Sequence, residues 1–151
     1  MTQLQRLRAD HGPMALAFEL ANRTYFAASV SDRGDEYDEQ FTERQSALLA
    51  EQDGGVGVFY VLVEEDGSVI GRCNLAELHD GLAELGYRVA QRVAGRGVAT
   101  GAVQELGRLA VSAYGRRMLR AAARHEHVAS QKVLTMTGFV PGTWYQPHLA
   151  D

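Results

Sequence analysis

The spacing of apolar and polar positions changes period several times along the chain, and each change marks an element. Residues 3–9 (QLQRLRA) alternate weakly and predict a first strand. Asp10-His11-Gly12-Pro13 reads as a helix entrance with proline near the first helical position, and apolar residues at 14, 16, 18, 20, 21 and 25 carry that helix to about Ala28. The acidic stretch 31–39 (SDRGDEYDE) reads as loop. A second helix runs from about Tyr37 to Gln52, burying Phe41, Leu48 and Leu49, and Asp53-Gly54-Gly55 ends it. Residues 56–64 (VGVFYVLVE), β-branched and aromatic, give the clearest strand signal. Asp66-Gly67 then closes a tight hairpin onto a strand at 68–77, and Asp80-Gly81 turns the chain again into 82–89.

The stretch 84–107 (ELGYRVAQRVAGRGVATGAVQELG) organises the rest. The alternating run Leu85, Tyr87, Val89 passes through a loop, 90–94, to Gly95-Arg96-Gly97. Beyond it, Ala99, Ala102, Val103, Leu106, Ala110 and Ala113 recur every three or four residues, the signature of a helix with one apolar face. A helix that begins on glycines offers unpaired N–H groups and the positive end of its dipole. Without β-carbons at 95 and 97, a diphosphate can approach those amides directly. Further along, 118–123 is a strand candidate, 129–137 a short helix stopped by Gly138, and 139–149 a terminal strand or hairpin.

Length and composition set the frame. A chain of 151 residues suits one domain with a sizeable core, expected to span 1–151. No run of about 18 apolar residues occurs and the N-terminal stretch has no apolar signal core, so a cytoplasmic, membrane-free protein is expected. The single Cys73 excludes an internal disulfide and a cysteine-built zinc site. Charge is divided: residues 1–86 carry 6 Arg and 16 acids, while 87–151 carry 8 Arg, 1 Lys and 3 acids. The basic half, bearing the helix mouth, suits a polyanion, and the acidic half suits a cationic amine. Acid elsewhere and the lack of any recognised motif argue against nucleic acid.

Two familiar phosphate sites fail. A P-loop needs Lys-Ser/Thr after its last glycine, whereas Gly97 is followed by Val98-Ala99-Thr100. A Rossmann fingerprint wants its first glycine directly after a buried parallel strand, and here five residues and an antiparallel meander intervene. The order helix, helix, three-strand meander, glycine loop with helix, strand, short helix, strand instead resembles the GNAT superfamily of acetyl-CoA-dependent N-acetyltransferases. Glu84-Leu85-Gly86-Tyr87-Arg88-Val89, the loop Gly95-Arg96-Gly97-Val98-Ala99-Thr100, and His127-Val128-Ala129-Ser130 through Gly138-Phe139 look like the branch that acetylates ribosomal-protein N-termini.

The resemblance implies an α/β (α+β) fold in which a mixed, mostly antiparallel sheet splays around acetyl-CoA, with helices on both faces. The family pattern Gln/Arg-x-x-Gly-x-Gly/Ala fits in two frames, one led by Arg92 and one by Ala94; distance from the strand favours the second. By resemblance, the main chain of Gly95, Arg96, Gly97, Val98, Ala99 and Thr100 holds the pyrophosphate and the backbone at Val89 pairs with pantetheine. Asn-x-x-Ser, usual at the short helix, is His127-x-x-Ser130 here, so Ser130 is the safer cofactor contact. Homodimerisation is common in this branch and is expected on resemblance alone.

Chemistry then has to be assigned. An alkylamine with pKa near 10 must lose a proton before it attacks a thioester. Glu84 is the candidate base, directly or through water, with Glu77, Glu126 and His79 as substitutes. The helix 129–137 lacks the tyrosine many relatives use for the thiolate, leaving Ser130 as a catalytic candidate and Tyr145 as a remote one. Cys73 reads as core, not acyl carrier. His125 and His127 lack further ligands at metal spacing, so no metal is expected. Arg116, Arg117, Arg120 and Arg124 form a basic edge that suits solvent or a CoA 3′-phosphate, and Phe139 reads as core. The rival reading is a non-catalytic acyl-CoA-binding module. The connection from Phe139 to Trp144 is short for the family, which leaves the acceptor open among N-terminal peptide, polyamine and aminoglycoside.

Overall fold

The computed structural model describes residues 2–28, 32, 34–55, 57–79, 82–113, 118–121, 128–139 and 145–146. Within these, six strands form one sheet in chain order: β1 (Gln3–Arg6), β2 (Gly57–Val63), β3 (Val69–His79), β4 (Leu82–Val89), β5 (Met118–Ala121) and β6 (Tyr145–Gln146). All neighbours pair antiparallel except β4 and β5, which run parallel. A parallel pair needs a crossover, and the long helix after the glycines supplies it.

Among the described residues, six α-helices accompany the sheet: α1 (Gly12–Ala21), α2 (Arg23–Ala27), α3 (Asp35–Glu39), α4 (Phe41–Asp53), α5 (Val98–Ser112) and α6 (Val128–Met136). Strand parity assigns them to layers. Arg72 and Arg88 are opposed on β3 and β4, and both reach Glu19 of α1, so α1 lies on that face. Gly107 of α5 sits beside Leu119, whose partner Ala83 projects from the opposite face of β4. Ala102, Val103, Leu106 and Ala110 are the buried stripe of α5, packed with Leu85, Cys73, Leu119, Leu134 and Phe139 into one core. The periodicity predicted that stripe; Ala99 and Ala113, at its ends, are only half-buried and exposed.

Two predicted helices are each divided. The first breaks at Asn22, where φ is −110° and ψ 8°, and the second breaks at Gln40 with φ −98° and ψ 14°. The second also starts earlier than expected, at Asp35 within the stretch read as loop. Its buried positions are Phe41, Gln45 and Gln52, with Leu48 and Leu49 half-buried against the core. The first strand is shorter than expected and gives way to a 3-10 turn at Ala9–His11. The Asp66-Gly67 hairpin is as expected, with Gly67 at φ 88°. The Asp80-Gly81 turn and most of 139–149 lie outside the described residues.

Candidate functional site

The site is built where β4 runs out. Its register with β5 pairs Leu82, Ala83, Glu84 and Leu85 with Met118, Leu119, Arg120 and Ala121 and goes no further among the described residues. Among the described residues, Gly86 to Val89 pairs with β3 alone. Alternate residues of a strand present both N–H and C=O to one side, and on the side away from β3 this segment has no strand partner among the described residues.

The chain then makes a 3-10 turn at Gln91–Val93, inside the stretch read as plain loop, and reaches Gly95. Gly95 and Gly97 sit at φ 78° and 80°, the left-handed region that a side chain resists, and a β-carbon at either would meet nothing within 4 Å. Gly97 is the N-cap of α5 and gives it no side-chain cap. Gly101 N–H returns to the Gly97 carbonyl at 3.0 Å. Among the described residues none accepts from the amides of Gly95, Gly97, Val98, Ala99 or Thr100. Arg96 differs, because its N–H goes to the Val93 carbonyl at 3.3 Å and its exposed side chain is what it can offer. Five amides with no acceptor among the described residues, at the positive end of a helix dipole, can hold a diphosphate. Arg92, leading the alternative frame, is ion-paired with Glu64.

The side chains of β4 divide between the two layers. Arg88 meets Glu19 at 3.4 Å and its guanidinium stands 5.0 Å from the Phe26 ring. Arg72, opposite it, lies 3.5 Å from the other oxygen of Glu19, donates to Gln45 Oε1 at 2.8 Å and stands 5.5 Å from the Phe41 ring. Two like charges face each other across the ladder, and the buried carboxylate offsets their repulsion. Glu84 is a half-exposed residue whose Oε2 accepts from Arg120 at 2.6 Å.

Of the other sequence candidates, Ser130 falls in the first turn of α6 with its side chain outside the described residues, as are the side chains of Glu77, His79 and Tyr145. His125, His127, Glu126, Arg116, Arg117 and Arg124 lie wholly outside them. Cys73 and Phe139 are core, at 4% and 3% exposure. Burial pushes the Cys73 thiol up to about 12.

Residues 3–140 match the acetyltransferase (GNAT) domain family. The chain belongs to the GNAT acetyltransferase family. It is therefore an enzyme, and the GNAT architecture of a mostly antiparallel sheet with helices is what the strands and helices above display. Solved structures agree on the fold. Ribosomal-protein-S5-alanine acetyltransferase from Vibrio fischeri is similar at TM-score 0.85 and 18% identity, over 99% of this chain and 88% of that one. RimL, a ribosomal L7/L12 α-N-protein acetyltransferase in complex with coenzyme A, gives TM-score 0.85 and 15% identity over 99% and 96%. Mycobacterium smegmatis RimJ in complex with CoA-disulfide gives 0.79 and 23% over 95% and 77%. No curated protein matches the GNAT chain by sequence.

Sequence reasoning passed over Asn22 and Glu19, and it placed Arg120 on a basic edge suited to solvent or a 3′-phosphate, where the structure pairs it with Glu84. A polar residue in the middle of an apolar helical window, as Asn22 is, was the available signal of a break with work for its side chain. The Glu84–Arg120 pairing spans 36 residues and depends on parallel register, which no local pattern encodes.

Proposed function

We propose that this acetyltransferase moves the acetyl group of acetyl-CoA to a primary amine, either a protein N-terminus or a small cationic amine. The reading includes one domain spanning residues 1–151 and action in the cytoplasm. The observation that carries it is one coincidence of place. Amides at the mouth of α5 closely follow a strand whose last residues, Gly86 to Val89, pair on one side alone, and among the described residues neither those amides nor that second side has a protein partner.

The main chain of Gly95, Gly97, Val98, Ala99 and Thr100 is assigned to the pyrophosphate, with the Arg96 side chain beside it. Backbone groups at Val89 pair with the pantetheine amides as an added strand would. When bound, acetyl-CoA supplies a thioester carbonyl open to a nitrogen nucleophile. Outward main-chain N–H groups of this edge are placed to stabilise an oxygen that gains negative charge. Glu84 is assigned to take the amine proton, Ser130 to donate a hydrogen bond toward the sulfur end, and His127 to contact the cofactor. No metal is assigned a role, and homodimerisation is proposed on resemblance alone.

The acceptor is the least determined part. Acidic residues dominate positions 1–86, which favours a cationic amine. RimL and the Vibrio fischeri protein, by their names, act on ribosomal proteins, which supports a protein N-terminus.

Thermal melting with acetyl-CoA, CoA and ATP in parallel tests the cofactor. Acetyl-CoA and CoA raise the wild-type midpoint and leave Gly97→Glu unmoved, since the new carboxylate occupies the phosphate position. A wild-type midpoint insensitive to acetyl-CoA overturns the reading. CoA release with N-terminal peptides, polyamines and aminoglycosides then separates the acceptors, and binding without turnover on any of them favours the non-catalytic module.

A further inference from the structure

We infer that Asn22 is a positioning residue for the anion loop: from the helix layer on the far side of the sheet, it fixes the turn that delivers Gly95 and Gly97. The inference rests on the reading that residues 95–100 hold the phosphates of CoA.

Asn22 joins α1 to α2 and is buried, at 7% exposure. Its backbone links the two helices by hydrogen bonds across the break, with its N–H to the Phe18 carbonyl at 3.2 Å and its carbonyl accepting from Phe26 at 2.8 Å. The side chain is thereby released for other partners. Nδ2 donates to the Phe18 carbonyl at 2.8 Å, which holds the amide plane. Oδ1 accepts the Gln91 N–H at 2.9 Å, across 69 residues of sequence.

That amide is where the loop hangs. Ala90 N–H ends the ladder on the Ile70 carbonyl at 2.8 Å. The amides of Val93, Ala94 and Arg96 then bond carbonyls of the turn itself, those of Ala90, Gln91 and Val93. Among the described residues, the directed links from the turn to other elements are therefore Ala90 to Ile70, Gln91 to Asn22, and Arg92 to Glu64, an exposed ion pair of the kind that contributes little. Val93 is buried and anchors the middle of the turn, yet apolar contact sets no direction. Glu19 and Phe26 lie on the same helix face as Asn22 and hold Arg88. One face of the α1–α2 pair thus grips the last residues of β4 and the first of the turn. Several amides must converge on one anion, so a small tilt of the turn weakens them together.

The test uses Asn22→Ala, Gln91→Pro and the double variant, read by calorimetric CoA binding and by amide exchange at Gln91. Gln91→Pro deletes the donor and leaves Asn22 in place. Ala90, at φ −61° and ψ 147°, already has the extended backbone that a following proline requires, and Gln91 itself is exposed, so this variant folds. In the wild type the Gln91 amide is protected. In Asn22→Ala it exchanges freely. Each single variant weakens CoA about 5- to 10-fold, as expected for one orphaned, partly buried donor or acceptor. The double is no weaker than the worse single, because both delete the same bond. KM for acetyl-CoA rises in step while kcat stays within about twofold. CoA affinity within about twofold of wild type in both singles, or losses that multiply in the double, overturns the inference. Gly97→Glu separates the two levels: unchanged CoA binding there refutes the loop reading, whereas loss there with normal binding in the Asn22 and Gln91 variants refutes only the role of Asn22.

Discussion

Glu84 and Arg120 are register partners across the parallel seam of β4 and β5, and the guanidinium donates to Glu84 Oε2 at 2.6 Å. The side chains are 42% and 41% exposed, and an ion pair that open contributes about 0–1 kcal/mol to stability. Structure and chemistry therefore separate cleanly in Glu84→Gln. Its melting midpoint should stay close to wild type, while kcat falls by about 10²- to 10⁴-fold if the carboxylate takes the amine proton. Unchanged turnover on a good acceptor would assign the pair to the seam alone and move the base elsewhere.

Cys73 sits opposite Tyr87 in the β3–β4 ladder, inside the core, with its thiol held protonated by burial up to about 12. A thiol in that state is neither nucleophile nor metal ligand. Alkylation of the native protein at pH 8 is expected to proceed only at the rate of unfolding, and Cys73→Ala to keep turnover while costing about 1 kcal/mol for the small void. Labelling within minutes under native conditions would put the sulfur at the surface and reopen covalent catalysis.

Much of the fold around the candidate site was legible because it is local. The Asp66-Gly67 turn, the apolar stripe of α5 and the two positive-φ glycines are written in short spans, and each follows from backbone sterics or periodicity. What escaped is non-local. Glu19, Gln45 and Gln52 are residue types that ordinarily face solvent, yet they fall on the buried stripes of their helices, at 5%, 6% and 8% exposure, with partners that arrive from other elements. The divided helices have the same origin. Asn22 is tolerated between α1 and α2 since its oxygen meets a turn 69 residues away, and nothing near it in the chain announces that acceptor role.

Gln52 shows what such a residue contributes. Its Nε2 donates to the Leu7 carbonyl at 3.1 Å and its Oε1 accepts from Phe59 N–H at 2.9 Å, so one amide closes the ladder where β1 ends against β2. Gln52→Leu keeps the bulk and strands both main-chain groups. The expected loss is about 2–6 kcal/mol, from about 1–3 kcal/mol for each of the two unsatisfied groups. Urea denaturation checks it, and a loss below about 1 kcal/mol would mean that water replaces the amide at no cost.

His11 carries a pH dependence of definite sign. Its ring is buried at the start of α1, with Nδ1 accepting the Arg8 N–H at 2.9 Å and Nε2 lying 2.9 Å from Gln5 Oε1. That arrangement needs the neutral ring with its proton on Nε2, since a proton on Nδ1 would face another donor. Burial lowers the folded-state pKa, the nearby Arg8 charge lowers it further, and Asp10 opposes them. The unfolded ring titrates near 6.5, so between the folded value and 6.5 the unfolded chain binds more protons. The contribution is complete above that pH and is lost as pH falls through 6.5 toward the lower folded value. In His11→Asn, Oδ1 can take over from Nδ1 as acceptor for the Arg8 amide without titrating. Urea midpoints from pH 8 to pH 5 should fall more steeply in wild type than in His11→Asn, and the difference between the two curves isolates this ring from every other titrating group. Parallel curves would show that protonating the ring, with the loss of the bond from Arg8 N–H that it entails, costs nothing measurable.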